Sequence, residues 1–134
     1  MYLDALKEIN DQNIRPNPVK CARQVVDSYN RAPCVLLEKQ GDIIGFAGLD
    51  TNIPIYSDDA YISEYMFYVK PGNRSIKMAK MLSDAVQAVA DKFKLPLYFS
   101  HILYGLGVDH KEKFLKRWGY KPLAVNCVYE VKHV

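Results

Sequence analysis

YISEYMFYVKPGNRSIKMAKML, Tyr61 to Leu82, is the stretch whose reading decides the fold. Its first part, Tyr61 to Lys70, is dense in aromatic and β-branched side chains, which suit a pleated and largely buried strand. Pro71-Gly72-Asn73 stops that strand, because proline has no N–H for a ladder and glycine and asparagine accept turn dihedrals. Ser75 is placed to cap the helix that follows, and Met78 in place of Glu or Gln means that no capping box forms. Lys70, Arg74, Lys77 and Lys80 crowd the same corner. A helix N-terminus with free N–H groups and added positive charge suits a phosphate.

Working outward, the helix keeps Ala79, Leu82, Val86, Val89 and Phe93 at 3-4 spacing and ends at Lys94-Leu95-Pro96. Leu97 to Leu103 reads as the next strand, Tyr104 to Asp109 as a glycine-bearing loop and His110 to Trp118 as a short helix, with Gly119 as its terminator. Leu123 to Lys132 alternates as a last strand would. Upstream, Cys34 to Lys39 and Ile43 to Leu49 form a hairpin about Gln40-Gly41-Asp42, and Asp50 to Asp59 is a loop. Tyr2 to Asn10 is a short amphipathic helix. A second helix opens at Pro18 or Val19 and runs to Tyr29, with Ala22, Val25, Val26 and Tyr29 along one face.

The 134 residues form one domain, 1–134, long enough for a real core. A composition of 49% hydrophobic and 25% charged residues is ordinary for a globular chain. The net charge of +3 is too small to argue for nucleic acid or a membrane surface as partner. Cys21, Cys34 and Cys127 are odd in number and lack metal-ligand spacing, which favours reduced thiols. No signal peptide and no bilayer-length apolar run is read, so the chain is expected to be cytoplasmic. Neither a P-loop, a dinucleotide fingerprint, Ser-His-Asp spacing nor a metal-ligand cluster is found.

The central stretch resembles motif A of the GNAT family of acetyl-CoA-dependent N-acetyltransferases. In that family a strand ending in Val-x-Pro leads into an Arg/Gln-x-x-Gly-x-Gly/Ala loop that opens the main helix. Val69-Lys70-Pro71 fits the strand end, and Arg74-Ser75-Ile76-Lys77-Met78-Ala79 lies in register with the loop. Arg74 and Ala79 match, while Lys77 stands where the family usually has glycine. Lys113 to Tyr120 is similar to the family's closing signature, a short helix ending in Gly-Phe or Gly-Tyr. Leu115 holds the position of a tyrosine that, in many members, protonates the departing CoA sulfur, and Val108-Asp109 stands near a usual asparagine.

The resemblance, which covers roughly Cys34 to Val131, implies an α/β (α+β) fold of compact, divergent GNAT type. Its sheet is mixed and mostly antiparallel, with helices on both faces and without the family's usual first strand. It implies acetyl-CoA as cosubstrate, with no metal, and an amine acceptor as partner, and it leaves a homodimer open. The strands at Tyr61 to Lys70 and Leu97 to Leu103 are expected to splay, so that the pantetheine arm pairs with the backbone of Phe67, Tyr68 and Val69 as an added strand would. The pyrophosphate is expected on N–H groups from Arg74, Ser75, Ile76, Lys77, Met78 and Ala79, with the Arg74 side chain adding a charge-assisted contact and Lys77 an extra cation. Lys116 completes the expected cofactor-binding set.

An amine of pKa near ~10.4 is mostly protonated at neutral pH, so transfer needs a base. Glu64, the carboxylate on the central strand, is the expected base, and Tyr104 the spare acid. Against this stand plainer readings: Glu64 as an ordinary strand residue, Asp58 and Asp59 as solvated loop acids, His101 as a hydrogen-bonded core residue. The second reading of the whole chain is a GNAT-like scaffold with weak or no catalysis that serves as a binding, inhibitory or structural protein of phage type. Lys77, Leu115 and the missing first strand point that way. The acceptor is not legible, because substrate loops vary freely on this fold.

Overall fold

The computed structural model describes residues 1, 4–5, 17–99, 108–123 and 129. The expected helix at Tyr2 to Asn10 has Asp4 and Ala5 helical and otherwise lies outside the described residues. Helix α1, Pro18–Tyr29, starts at Pro18 as expected: the Asn17 side chain accepts from the Val19 and Lys20 N–H groups, and Pro18 occupies the first turn. Its inward face differs from the expected one. Cys21, Gln24, Val25 and Ser28 turn towards the protein, whereas Ala22, Val26 and Tyr29 are exposed. The physical reason is a polar anchor, since Ser28 is fully buried by a hydrogen bond to Tyr65 and thereby sets the rotation of the helix.

Strands β1, Val35–Lys39, and β2, Asp42–Asn52, form the expected hairpin. Its two-residue turn, Gln40 and Gly41, has φ of 52° and 84°, the twist that suits a tight hairpin. The second strand runs three residues past Leu49, into what reads as loop. Arg31 chelates the Asp50 carboxylate through Nε at 2.6 Å and Nη2 at 2.7 Å, and the Asn52 amide binds Ser63 Oγ at 2.6 Å. These tertiary bonds hold Asp50 and Asn52 in the ladder against their turn preference.

Strand β3, Tyr61–Val69, lies antiparallel to β2, and a 3-10 turn, Pro71–Asn73, joins it to α2, Ile76–Phe93. Helix α2 is N-capped by Ser75, whose Oγ accepts from the Met78 N–H at 3.1 Å. At the other end Lys94 takes the left-handed conformation, and Leu95 N–H reaches back to the Ala90 carbonyl. Strand β4, Leu97–Tyr98, pairs parallel with Ile62 and Ser63. Helix α3, Val108–Arg117, ends in a second left-handed cap at Gly119, φ 92°, which closes the Tyr120 N–H onto the Leu115 carbonyl at 2.9 Å. The expected last strand at Leu123 to Lys132 lies almost wholly outside the described residues.

The sheet order is β1-β2-β3-β4, antiparallel except for its last pair. Ala79, Leu82, Val86 and Ala90 of α2 pack on Ala47, Leu49, Ile62, Phe67 and Val69, with Phe114 and Trp118 closing the edge. Phe46, Met66 and Tyr68 form a separate cluster with Ala5 on the other face, the face to which Ser28 of α1 ties Tyr65. Two positions of α2 differ from its expected apolar set. Phe93 is half exposed, and Ser83, fully buried, sits within the helix's core-facing stripe. Among the described residues no helix is long and apolar enough to cross a membrane.

Candidate active site

The functional corner begins with an irregularity in β3. Gly48 lies opposite Met66 and Leu49 opposite Glu64, so Tyr65 is an extra residue in the ladder, a β-bulge. Gly48 makes room for it, because a Cβ there would collide with the Tyr65 ring. The bulge changes the phase of the strand. Ile62, Phe67 and Val69 belong to the core under α2, whereas Met66 and Tyr68 belong to the opposite cluster.

Glu64 is the last residue before the bulge and is only 1% exposed. Burial pushes the Tyr120 phenol up, and the nearby Glu64 charge adds to that rise. The Tyr120 hydroxyl lies 2.9 Å from Ser83 Oγ on α2, and its ring packs on Phe99 at 5.0 Å, which in turn meets Phe67 edge-on at 5.0 Å. One helix turn along, the Gln87 amide donates to the Trp118 carbonyl at 2.7 Å. Helix α3 is thereby latched to α2 beside the carboxylate. On the other face, burial pushes the Tyr65 phenol up.

Past the bulge, Phe67, Tyr68 and Val69 are buried and run to the strand end. The described β3–β4 pairing stops at Ser63 and Tyr98, upstream of these residues. Arg74 turns back on the strand: its Nε donates to the Val69 carbonyl at 2.7 Å, and its guanidinium lies 5.4 Å from the centre of the Tyr68 ring. At the start of α2 the Met78 N–H goes to Ser75 Oγ and the Ala79 N–H to the Ser75 carbonyl at 3.0 Å. Among the described residues the N–H groups of Ser75, Ile76 and Lys77 have no protein partner, and Ser75, Ile76 and Lys77 are all exposed.

The expected site residues thus divide. Glu64, Phe67, Tyr68, Val69 and Arg74 through Ala79 share one strand, its turn and one helix start, with Ala79 buried against the sheet. Lys80 is ion-paired with Asp84 at 2.9 Å along the exposed face of α2, and Lys116 is ion-paired with Glu112 at 3.0 Å on α3. Both ammonium groups are thereby engaged within their own helices. Asp58 and Asp59 are exposed in the β2–β3 loop, and Tyr104 and His101 lie outside the described residues. Sequence reading missed Tyr65, Gly48, Ser28, Ser83 and Tyr120. A glycine inside an apolar strand and a serine on the buried stripe of α2 were the available signals.

The donor set suits a phosphate-bearing anion: exposed N–H groups at a helix start lie beside Lys70 and Lys77. No family model matches the chain, and no curated protein sequence matches it. Solved structures do. A ribosomal-protein-alanine N-acetyltransferase from Brucella melitensis biovar Abortus 2308 superposes with a TM-score of 0.64 at 15% identity, over 97% of this chain and 91% of that one. An aminoglycoside acetyltransferase from an uncultured soil metagenomic sample, in complex with trehalose, gives 0.66 at 13% identity over 98% and 84%. A GNAT family acetyltransferase from Staphylococcus aureus gives 0.61 at 16% over 96% and 89%. The fold of this chain is the fold of the GNAT acetyltransferases.

Proposed function

We propose that the chain is an acetyl-CoA-dependent N-acetyltransferase that acylates a primary amine of a small molecule or protein by direct transfer. The observation that carries the reading is the run from Glu64 to Ala79. A buried carboxyl at a β-bulge, a strand end and an N-capped helix with exposed N–H groups follow one another within a single strand–turn–helix unit. Acetyl-CoA supplies an activated acetyl thioester. The Ser75, Ile76 and Lys77 N–H groups and the Lys70 and Lys77 ammoniums would hold its diphosphate, and the backbone of Phe67 to Val69 its pantetheine arm.

The chain's own task is to deliver a neutral amine in a site shielded from water. Glu64 takes the ammonium proton, directly or through one water, leaving nitrogen with the lone pair that an acyl carbonyl needs. Tyr120, near enough for the Glu64 charge to act on it, joins through its ring to Phe99 and so to Phe67, an apolar surface that strengthens charge–dipole contacts beside it. Attack by the nitrogen forms the amide C–N bond as the thioester C–S bond breaks. CoA departs as the thiolate and takes up the second proton that the nitrogen sheds, and no covalent enzyme intermediate is required. The test is direct. The purified chain is incubated with acetyl-CoA and a panel of amines that spans N-terminal peptides, lysine peptides, polyamines and aminoglycosides, and CoA thiol release is followed with mass spectrometry of the acceptors. Acetylation of a panel member supports the reading, and thiol release no faster than without protein across the panel opposes it.

A further inference from the structure

Tyr65, Gly48 and Ser28 meet at one point but take no part in the chemistry above. Strict alternation along β3 would put residues 62, 64, 66 and 68 on one face. Instead the alternation changes phase between Glu64 and Met66, because Tyr65 is inserted, so that Phe67 and Val69 return to the face of Ile62 while Met66 and Tyr68 take the other. An extra residue leaves its ladder unpaired locally, so a bulge persists where something anchors the inserted side chain. Here the anchoring is threefold. The Tyr65 ring lies over Gly48 of β2, where any Cβ would strike it. The Tyr65 hydroxyl and Ser28 Oγ are hydrogen-bonded at 2.9 Å, and Ser28 is 1% exposed within α1. Ser28 Oγ is fixed in turn by the Val25 carbonyl of its own helix at 3.2 Å.

We propose that Ser28, Gly48 and Tyr65 form a clamp through which α1 holds the bulge of β3 and so fixes the face and depth at which Glu64 is presented. The proposal rests on Glu64 being the base, as read above. Its logic is the period of a strand: losing the inserted residue flips every side chain on one side of it relative to the other. Glu64 and Phe67 then no longer share a face, and the carboxyl loses its placement relative to the strand end at Val69. Ser28 and Tyr65 are positioning residues, since neither touches the reacting atoms. The clamp also explains why α1 is rotated with a serine inward while Val26 and Tyr29 face solvent.

The experiment uses the full chain with Tyr65→Phe, Ser28→Ala and the double variant, with Gly48→Ala as an independent way of lifting the ring. Two quantities are read: steady-state kinetics on an acetylated amine, and amide hydrogen exchange of the segment from Glu64 to Val69. The clamp predicts a fall in kcat of roughly tenfold, approaching ~10²-fold where the carboxyl moves by an ångström, with the KM for acetyl-CoA nearly unchanged. The double variant falls no further than the worse single, because one hydrogen bond is being removed twice. Exchange at Glu64 to Phe67 speeds up while α2 keeps its protection. An additive double variant, or kcat equal to that of the unmodified chain in Tyr65→Phe, overturns the clamp. Unchanged exchange in both Tyr65→Phe and Gly48→Ala overturns it as well, whether or not the unmodified chain acetylates anything. Faster exchange in a chain that acetylates nothing upholds the clamp and counts against the acetyltransferase reading alone.

Discussion

Two side chains of the site, Glu64 and Arg74, can each be tested alone, and so can the Arg31–Asp50 pair that holds the end of β2. Glu64→Gln keeps shape and hydrogen bonding but cannot take a proton, so turnover should fall by ~10²–10⁴-fold with acetyl-CoA affinity nearly unchanged. Raising the pH should restore part of the loss, because more acceptor is then free amine. Arg74→Ala removes the bond to the Val69 carbonyl as well as a charge, and the unliganded protein should lose about 1 kcal/mol of stability in denaturant melts. A residue serving only a phosphate would leave the unliganded protein untouched. The Arg31 guanidinium, hydrogen-bonded to Asp50, holds that carboxyl below the usual range. Its folded-state pKa is depressed, so the stability it adds is present above the unfolded value near ~3.9 and is lost as pH falls through the folded value. The Tm gap between the unmodified chain and Asp50→Asn should therefore be full at neutral pH and shrink below pH ~4. At this scale the sequence showed that Glu64 lies on the central strand, because the residue pattern around it is a strand's. It did not show the partners of Tyr120 or Ser28, since those pairings span 37 residues each and leave no local mark.

The elements were the most legible level, and the reasons are local. Pro18, Ser75, Gln40-Gly41 and Gly119 each mark a boundary by chemistry that acts within four residues, and each stands where it was expected. Lys94 is the exception among the caps, a non-glycine residue at φ 54°. Left-handed backbone costs an L-residue about 1–2 kcal/mol, partly offset by the freedom glycine gains in the unfolded chain. Lys94→Gly should therefore raise the stability of the protein by roughly 0.5–1 kcal/mol in chemical denaturation, and a loss would show that its side chain makes a contact of value. The extension of β2 through Asp50 to Asn52 was illegible because Arg31 and Ser63, distant in sequence, overrule turn-forming residues. The bulge was hidden for a related reason. Tyr65 fits an alternating strand as well as any residue, and only its meeting with Gly48 makes it surplus.

At the scale of the molecule, a four-stranded sheet carries α2 on one face and the Ser28–Tyr65 anchor of α1 on the other. The resemblance of Tyr61 to Leu82 to the GNAT motif is what anticipated this arrangement, since the order of elements alone leaves the sheet order and the placement of the helices open. The acceptor was not legible at any scale: it depends on loops whose residues carry no fixed pattern, and the fold hosts many chemistries. The proposed function stands or falls on one claim, that the corner from Phe67 to Ala79 is an acetyl-CoA site. The measurement that tests this most directly is native mass spectrometry of the full chain with acetyl-CoA, paired with a thermal melt over the same titration. A one-to-one complex is predicted, with about 2.7 kcal/mol of added stability at a ligand concentration ~100 times the dissociation constant. The complex should weaken when salt screens the Lys70 and Lys77 corner. No bound species and no change in Tm at millimolar acetyl-CoA would contradict the account.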